Sequence, residues 1–148
     1  DGLIKKTYQA MLLGEPDQKA FIVDQPLRID RSNKYRKSVI DPEGLKAITK
    51  FKLIENMNLA SLFEISPITG RTHQIRAHSA FINMPIAGDN RYCSQEDIIK
   101  KNFALRRLFL HASEISFPGF KDSDRDYRFR ADLADELKIV LRNLRSSN

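Results

Sequence analysis

Ser66-Pro67-Ile68-Thr69-Gly70-Arg71-Thr72-His73-Gln74-Ile75-Arg76-Ala77-His78 is the stretch around which the chain is organised. The run before it, Leu59 to Ile65, is apolar and alternates with the two-residue period of a strand. Pro67 has no N–H for a sheet ladder and ends that strand, and Gly70 permits a turn. Thr72 is placed to cap a helix from His73 to about Asn83. A strand, a turn and a helix start that together carry two arginines, two histidines and a glutamine describe a site. The orphan N–H groups of such a helix start, with Arg71 beside them, suit a phosphate or another anion. Arg76 falls one turn on, on the face of His73 and Thr72, while Ile75, Ser79 and Ile82 fall on a face available to a core. A solvated basic turn would explain any two of these residues, but explains the whole set poorly.

Composition bounds the rest. At 148 residues the chain is about one domain, long enough for a real core. A net charge of +6 and a pI near 9.5 point to a polyanionic partner. No apolar run reaches the length of a membrane span, and no signal peptide is visible. The single Cys93 excludes an internal disulfide and fits a reducing, cytoplasmic setting. An opening Asp1-Gly2 without Met reads as a fragment.

Outward from the central stretch, Lys5 to Leu13 alternates up to Gly14 and predicts a strand. Its alternation puts Tyr8 and Ala10 on one face and Met11 and Leu13 on the other. Phe21 to Lys37 reads as short strands or a loop with a basic centre, Arg28 to Lys37. Ile48 to Glu55 alternates, and Asn56-Met57-Asn58 turns the chain into the strand at Leu59 to Ile65, a hairpin. Asn83 tolerates a left-handed helix end. Ser94 to Lys101 predicts a short helix with a Ser cap and the basic end Lys100-Lys101, and Arg106-Arg107 extend the basic patch. Glu114 to Phe117 and Tyr127 to Arg130 read as strands around Pro118, Gly119 and a polar turn. Leu133, Leu137, Val140, Leu141 and Leu144 make an amphipathic helix over Asp132 to Leu144, opened by Asp132. About six or seven strands with two or three helices is an α+β class, with a mixed, largely antiparallel sheet and no second domain.

Three motifs occur in order: T-G-R-T-H-Q-I-R-A-H at Thr69 to His78, P-I-A-G-D-N-R-Y at Pro85 to Tyr92, and R-L-F-L-H-A at Arg107 to Ala112. Together they resemble the RluA/RluC-type pseudouridine synthases, and three in order are far more specific than any one. The departures are Asn83-Met84 where the family has Gly-His, and Cys93 where it has Gly. The resemblance implies the C-terminal part of that family's catalytic domain. Its N-terminal RNA-binding domain and the catalytic R-L-D-x-x-T-S-G segment are not in these 148 residues. Leu27-Arg28-Ile29-Asp30-Arg31-Ser32 imitates that segment, but follows Tyr8 instead of preceding it and lacks the Thr-Ser-Gly ending. Asp30 is better read as a solvated hairpin aspartate.

The resemblance implies isomerisation of uridine to pseudouridine in RNA, most readily large-subunit ribosomal RNA, without a cofactor. The target base must leave its stack and enter a pocket. On this basis Arg76 pairs with the catalytic aspartate and keeps it ionised. Tyr8 lies against the base and can take the C5 proton. Leu110 is the candidate apolar floor, and Arg71, His73, Gln74 and Arg107 are candidate RNA contacts. Without the nucleophile the fragment is expected to be inactive alone. The absent half is expected to leave an edge beside Lys5 to Leu13, a route to self-association. An RNA-binding module without catalysis is the alternative. A metal hydrolase built on His73, His78 and His111 is disfavoured, because the first two are off a common helical face and Arg76 repels a cation.

Overall fold

A computed structural model describes residues 3–32, 34–119 and 125–147. β1 (Lys5–Leu13) lies inside a six-stranded antiparallel sheet. The sheet is completed by β2 (Ala20–Asp24), β5 (Ile48–Asn56), β6 (Ala60–Pro67), β7 (Leu110–Pro118) and β8 (Asp126–Arg130), in the order β2-β5-β6-β1-β7-β8. β3 (Leu27–Asp30) and β4 (Lys37–Ile40) form a separate hairpin. With three helices among the described residues, the chain is α+β. The expected open edge beside β1 is corrected: β6 pairs with one side of it and β7 with the other. Among the described residues, the outer edges of the sheet are those of β2 and β8.

Register assigns the faces. Tyr8 pairs with Ile65 and Ala112, Ala10 with Phe63 and Leu110, and Ile65 in turn with Phe51. These residues share one face, because cross-strand partners point the same way. Phe21, Phe51 and Phe63 form its aromatic core, with ring centroids 5.1 to 6.2 Å apart. α1 (Gln74–Phe81) covers this face, tied down where His78 Nδ1 meets Thr49 Oγ1 at 2.8 Å. α3 (Asp135–Ser146) covers the other face, where Arg145 grips Glu55 and buries Leu137, Val140, Leu141 and Leu144. Buried on both sides, Ala10, Met11, Leu12 and Leu13 are all apolar.

The helix boundaries correct the caps. α1 begins after His73, which is left-handed (φ 51°), and Thr72 does not cap it. The left-handed residue at this corner is therefore His73, and Gly70 has ordinary φ. At the other end Asn83 does adopt positive φ, and Asn83 and Met84 donate to Ala80 and Ser79 O, closing a Schellman turn. α2 (Ile98–Asn102) is capped by Asp97, whose carboxylate accepts from Lys100 N, and not by Ser94. α3 starts at Asp135 rather than Asp132, with Asp135 and Glu136 favourably placed in its first turn. The polar turn before β8 falls partly on residues 120–124, outside the described residues.

Candidate active site

The site is assembled by three segments that meet at Tyr92. The first is the start of α1. His73 is directed at Tyr92 edge to face, with centroids 5.8 Å apart and Nδ1 3.2 Å from the phenol oxygen. Arg76, one turn on, lays its guanidinium over the same ring at 4.9 Å. The second is the β3–β4 hairpin. Ser38 N donates to the Tyr92 hydroxyl at 2.8 Å, Ser38 Oγ donates to Thr72 O, and Lys37 sits over the Tyr92 ring at 4.8 Å. Leu27, Ala47, Ala77 and Tyr92 make a small apolar cluster under this junction. The third is the Pro85–Tyr92 segment itself, held to the end of β1 where Leu13 donates to Pro85 O and Ala87 to Met11 O.

Arg76 is bound in fork geometry. Its Nε donates to Asp89 Oδ2 at 2.8 Å and its Nη2 to Asp89 Oδ1 at 2.7 Å. The Asp89 side chain is fully buried, and the Arg76 side chain keeps 16% of its exposure. Asp89 Oδ1 also accepts the N–H groups of Arg91 and Tyr92. Burial pushes the Asp89 acid up, but the bonds from Arg76 and from the two N–H groups outweigh it, so the carboxyl sits below its usual range. Both its oxygens accept hydrogen bonds and its side chain is fully buried, so Asp89 serves as the partner of Arg76 and not as an exposed nucleophile. Burial, then repulsion by Arg76 and Arg91, lowers the His73 pKa, so its imidazole is neutral at pH 7 and can accept from the Tyr92 hydroxyl. Burial also raises the Tyr92 phenol, which stays protonated.

Gly88 makes this turn possible. Its φ is +82°, and a Cβ there would lie 2.1 Å from Arg107 O, so a side chain fits neither the conformation nor the space. Asp97 accepts from Gly88 N and ties α2 to the same turn.

The other expected residues sit in distinct places. Tyr8 is half-buried on the α1-covered face, with no hydrogen bond to Arg76. Leu110 is half-buried on that same face, opposite Ala10. Gln74 turns inward: it is 3% exposed, and its amide donates to Ile48 O and Thr49 Oγ1 while its carbonyl accepts from Thr69 Oγ1 and Arg71 N. It pins the Thr69–Thr72 loop to β5. Arg71 is exposed, with Nε on Lys46 O. Arg107 turns to α3 and pairs with Glu136. Lys101 pairs with Glu96, and Lys100 donates to Asn90. Asp30 ends β3 and accepts from the N and Oγ of its neighbour Ser32, as a solvated turn aspartate does. The three histidines do not converge: His73 meets Tyr92, His78 meets Thr49 and Gln25 O, and His111 meets Ala131 O.

Asp89 and Tyr92 carried no assigned role in the sequence, although both lie inside the P-I-A-G-D-N-R-Y motif. The basic hairpin was the other omission. Arg28 and Arg31 line a cleft of about 510 Å³ together with Arg71, and Arg91 stacks on Tyr35 at 5.1 Å.

The profile of the RNA pseudouridylate synthase family matches residues 1–81, more than half of the chain. The chain belongs to the RNA pseudouridylate synthase family. The matched region carries Tyr8, Arg76 and the whole central stretch. The ribosomal large subunit pseudouridine synthase C of Vibrio parahaemolyticus is 36% identical over 146 residues, covering 98% of this chain and 45% of that relative. That of Buchnera aphidicola is 38% identical over 144 residues, covering 95% and 45%. The chain thus spans a little under half the length of these relatives. Human RNA pseudouridylate synthase domain containing 4 shares the fold, with a TM-score of 0.75 at 24% identity over 96% of this chain and 62% of that one.

Proposed function

We propose that this chain is the C-terminal part of the catalytic domain of an enzyme that isomerises uridine to pseudouridine in RNA. Large-subunit ribosomal RNA is the substrate that the relatives' names favour. The observation that carries the proposal is the half-buried guanidinium of Arg76, fixed at the head of α1 with Nη1 left without a partner among the described residues. A cation so placed can receive and orient one further carboxylate. The nucleophilic aspartate of the family fills that role from outside residues 1–148. Tyr8 and Leu110, on the sheet face that α1 covers, take the base, with Tyr8 removing the C5 proton late in the reaction. No cofactor takes part.

RNA is held electrostatically. Arg31 and Arg71 are exposed in the cleft beside the site, Arg36 is exposed on the hairpin, and His73 contributes a neutral imidazole. No helix among the described residues is long and apolar enough to cross a membrane. The enzyme works in the cytoplasm, where its RNA is.

The test uses the complete gene product and tritium release from C5-labelled uridine in a large-subunit ribosomal RNA transcript. Arg76→Ala removes the cation, and Arg76→Lys keeps the charge but loses the planar fork. Both variants are expected to lose at least about a hundredfold in turnover, the scale of a lost preorganised charge contact, with RNA affinity largely kept. Near-normal turnover in Arg76→Ala would remove the catalytic assignment. RNA binding without turnover in the wild-type gene product would favour the non-catalytic module.

A further inference from the structure

Asp89 lies in no catalytic assignment made so far, yet its geometry is more specific than that of an ordinary core ion pair. It is a fully buried carboxylate at the tip of a turn that only glycine can make at position 88. That turn is hydrogen-bonded to the end of β1, the strand that also carries Tyr8. The two oxygens have separate tasks. Oδ2 accepts only Arg76 Nε, whereas Oδ1 accepts Arg76 Nη2 and the N–H groups of Arg91 and Tyr92. Binding Nε and Nη2 together fixes the plane of the guanidinium and its rotation within that plane. The N–H groups left open among the described residues are those of Nη1 and the second of Nη2, on the far side of the fork. Tyr92 limits the remaining freedom by covering one face of the group at 4.9 Å.

We propose that Asp89 is a positioning residue for the reaction, setting the Arg76 guanidinium so that Nη1 meets the nucleophilic carboxylate in line. This rests on the reading of Arg76 given above. It adds a second consequence, since the Asp89 charge offsets that of Arg76. Without it the nucleophile would face an uncompensated cation and stay ionised to lower pH. The carboxylate therefore decides both where the cation points and how strongly it acts.

The difference between the two oxygens supplies a specific lesion. In Asp89→Asn the Oδ1 oxygen can still accept from Arg91 N, Tyr92 N and Arg76 Nη2, so the turn is kept. The new amide N–H₂ opposes Arg76 Nε, and the fork loses its second prong. The experiment uses the complete gene product, with kcat, KM and RNA affinity measured on the ribosomal transcript across pH, beside Arg76→Ala and Asp89→Glu. Asp89→Asn is expected to lower kcat by ten- to a hundredfold with KM and RNA affinity within about threefold, the range a misplaced catalytic group produces. The acid limb of its kcat profile is expected to move to lower pH. Asp89→Glu, which keeps the charge but shifts the oxygens, is expected to return the limb toward its original pH while kcat stays low. A kcat loss in Asp89→Asn with an unmoved acid limb, or wild-type kcat, would overturn the proposal while Arg76→Ala remains inactive. Should Arg76→Ala be active, the reading of Arg76 fails first, and a distinct result identifies it.

Discussion

At the scale of single residues, the chain spends several polar groups on holding its central loop. His78 is the clearest. It is fully buried, held between Thr49 Oγ1 and Gln25 O, and burial pushes its pKa below the ordinary 6.5. The folded state therefore binds the imidazole proton less well than the unfolded chain. Its contribution is fully present above the unfolded value of about 6.5 and is lost as pH falls from there through the folded value. Chemical denaturation between pH 7.5 and 5 is expected to show stability declining with acid. In His78→Gln, which can donate to Gln25 O and accept from Thr49, that slope should flatten. The slope that remains belongs to His73, which is shifted in the same direction by burial, Arg76 and Arg91. An unchanged slope in His78→Gln would mean that His78 titrates alike in both states.

At the scale of elements, the β3–β4 hairpin and the Pro85–Tyr92 segment bring to the site what the central stretch lacks. The hairpin is docked by Ser38 and Lys37 on Tyr92, and by Arg91 on Tyr35. This leaves Arg31 and Arg36 exposed, with Arg31 lining the same cleft as Arg71, whereas Arg28 is paired with Asp41. Each cation that meets a phosphate contributes about 0.7 to 0.9 to the slope of log affinity against log salt. The triple variant Arg31→Ala, Arg36→Ala, Arg71→Ala is expected to reduce that slope by about two in a filter-binding titration. Lys101→Ala and Arg107→Ala should change it less, because Glu96 and Glu136 already hold these two side chains. Equal effects of the two sets would place the RNA across both surfaces.

For the whole molecule, the described residues bury a continuous core but leave the β2 and β8 edges of the sheet unpaired among themselves. All five residues of β8 are exposed, Tyr127 and Phe129 stack on Phe117, and Ile4 is also exposed. A bare edge next to an apolar stripe invites strand pairing with another chain. The 148-residue chain alone is expected to fold with a cooperative thermal transition and to show concentration-dependent association in sedimentation velocity. Phe129→Lys, placed on the exposed edge strand, should weaken that association. The same chain is expected to release no tritium from C5-labelled RNA, for want of a nucleophile. Release that vanishes in Asp30→Asn would reverse this and make Asp30 the nucleophile.

The sequence by itself determined the elements, because period and breakers are local. The alternation of Lys5–Leu13, the hairpin around Asn58 and the apolar stripe of α3 all follow from neighbours along the chain. Their boundaries were less legible. The α1 start depends on a left-handed His73, a conformation uncommon for any residue but glycine, stabilised by the distant Tyr92 and by Gln74 reaching β5. The motifs identified Arg76, but not what holds it. Asp89 is thirteen residues away, and the two meet only because the Pro85–Ala87 segment pairs with the end of β1. Likewise, charge along the chain could not tell Arg107, turned to Glu136, from Arg31, which lines a cleft. Which cations are paired depends on which elements become neighbours. That depends on sheet order, and long-range pairing leaves no periodic trace in the sequence.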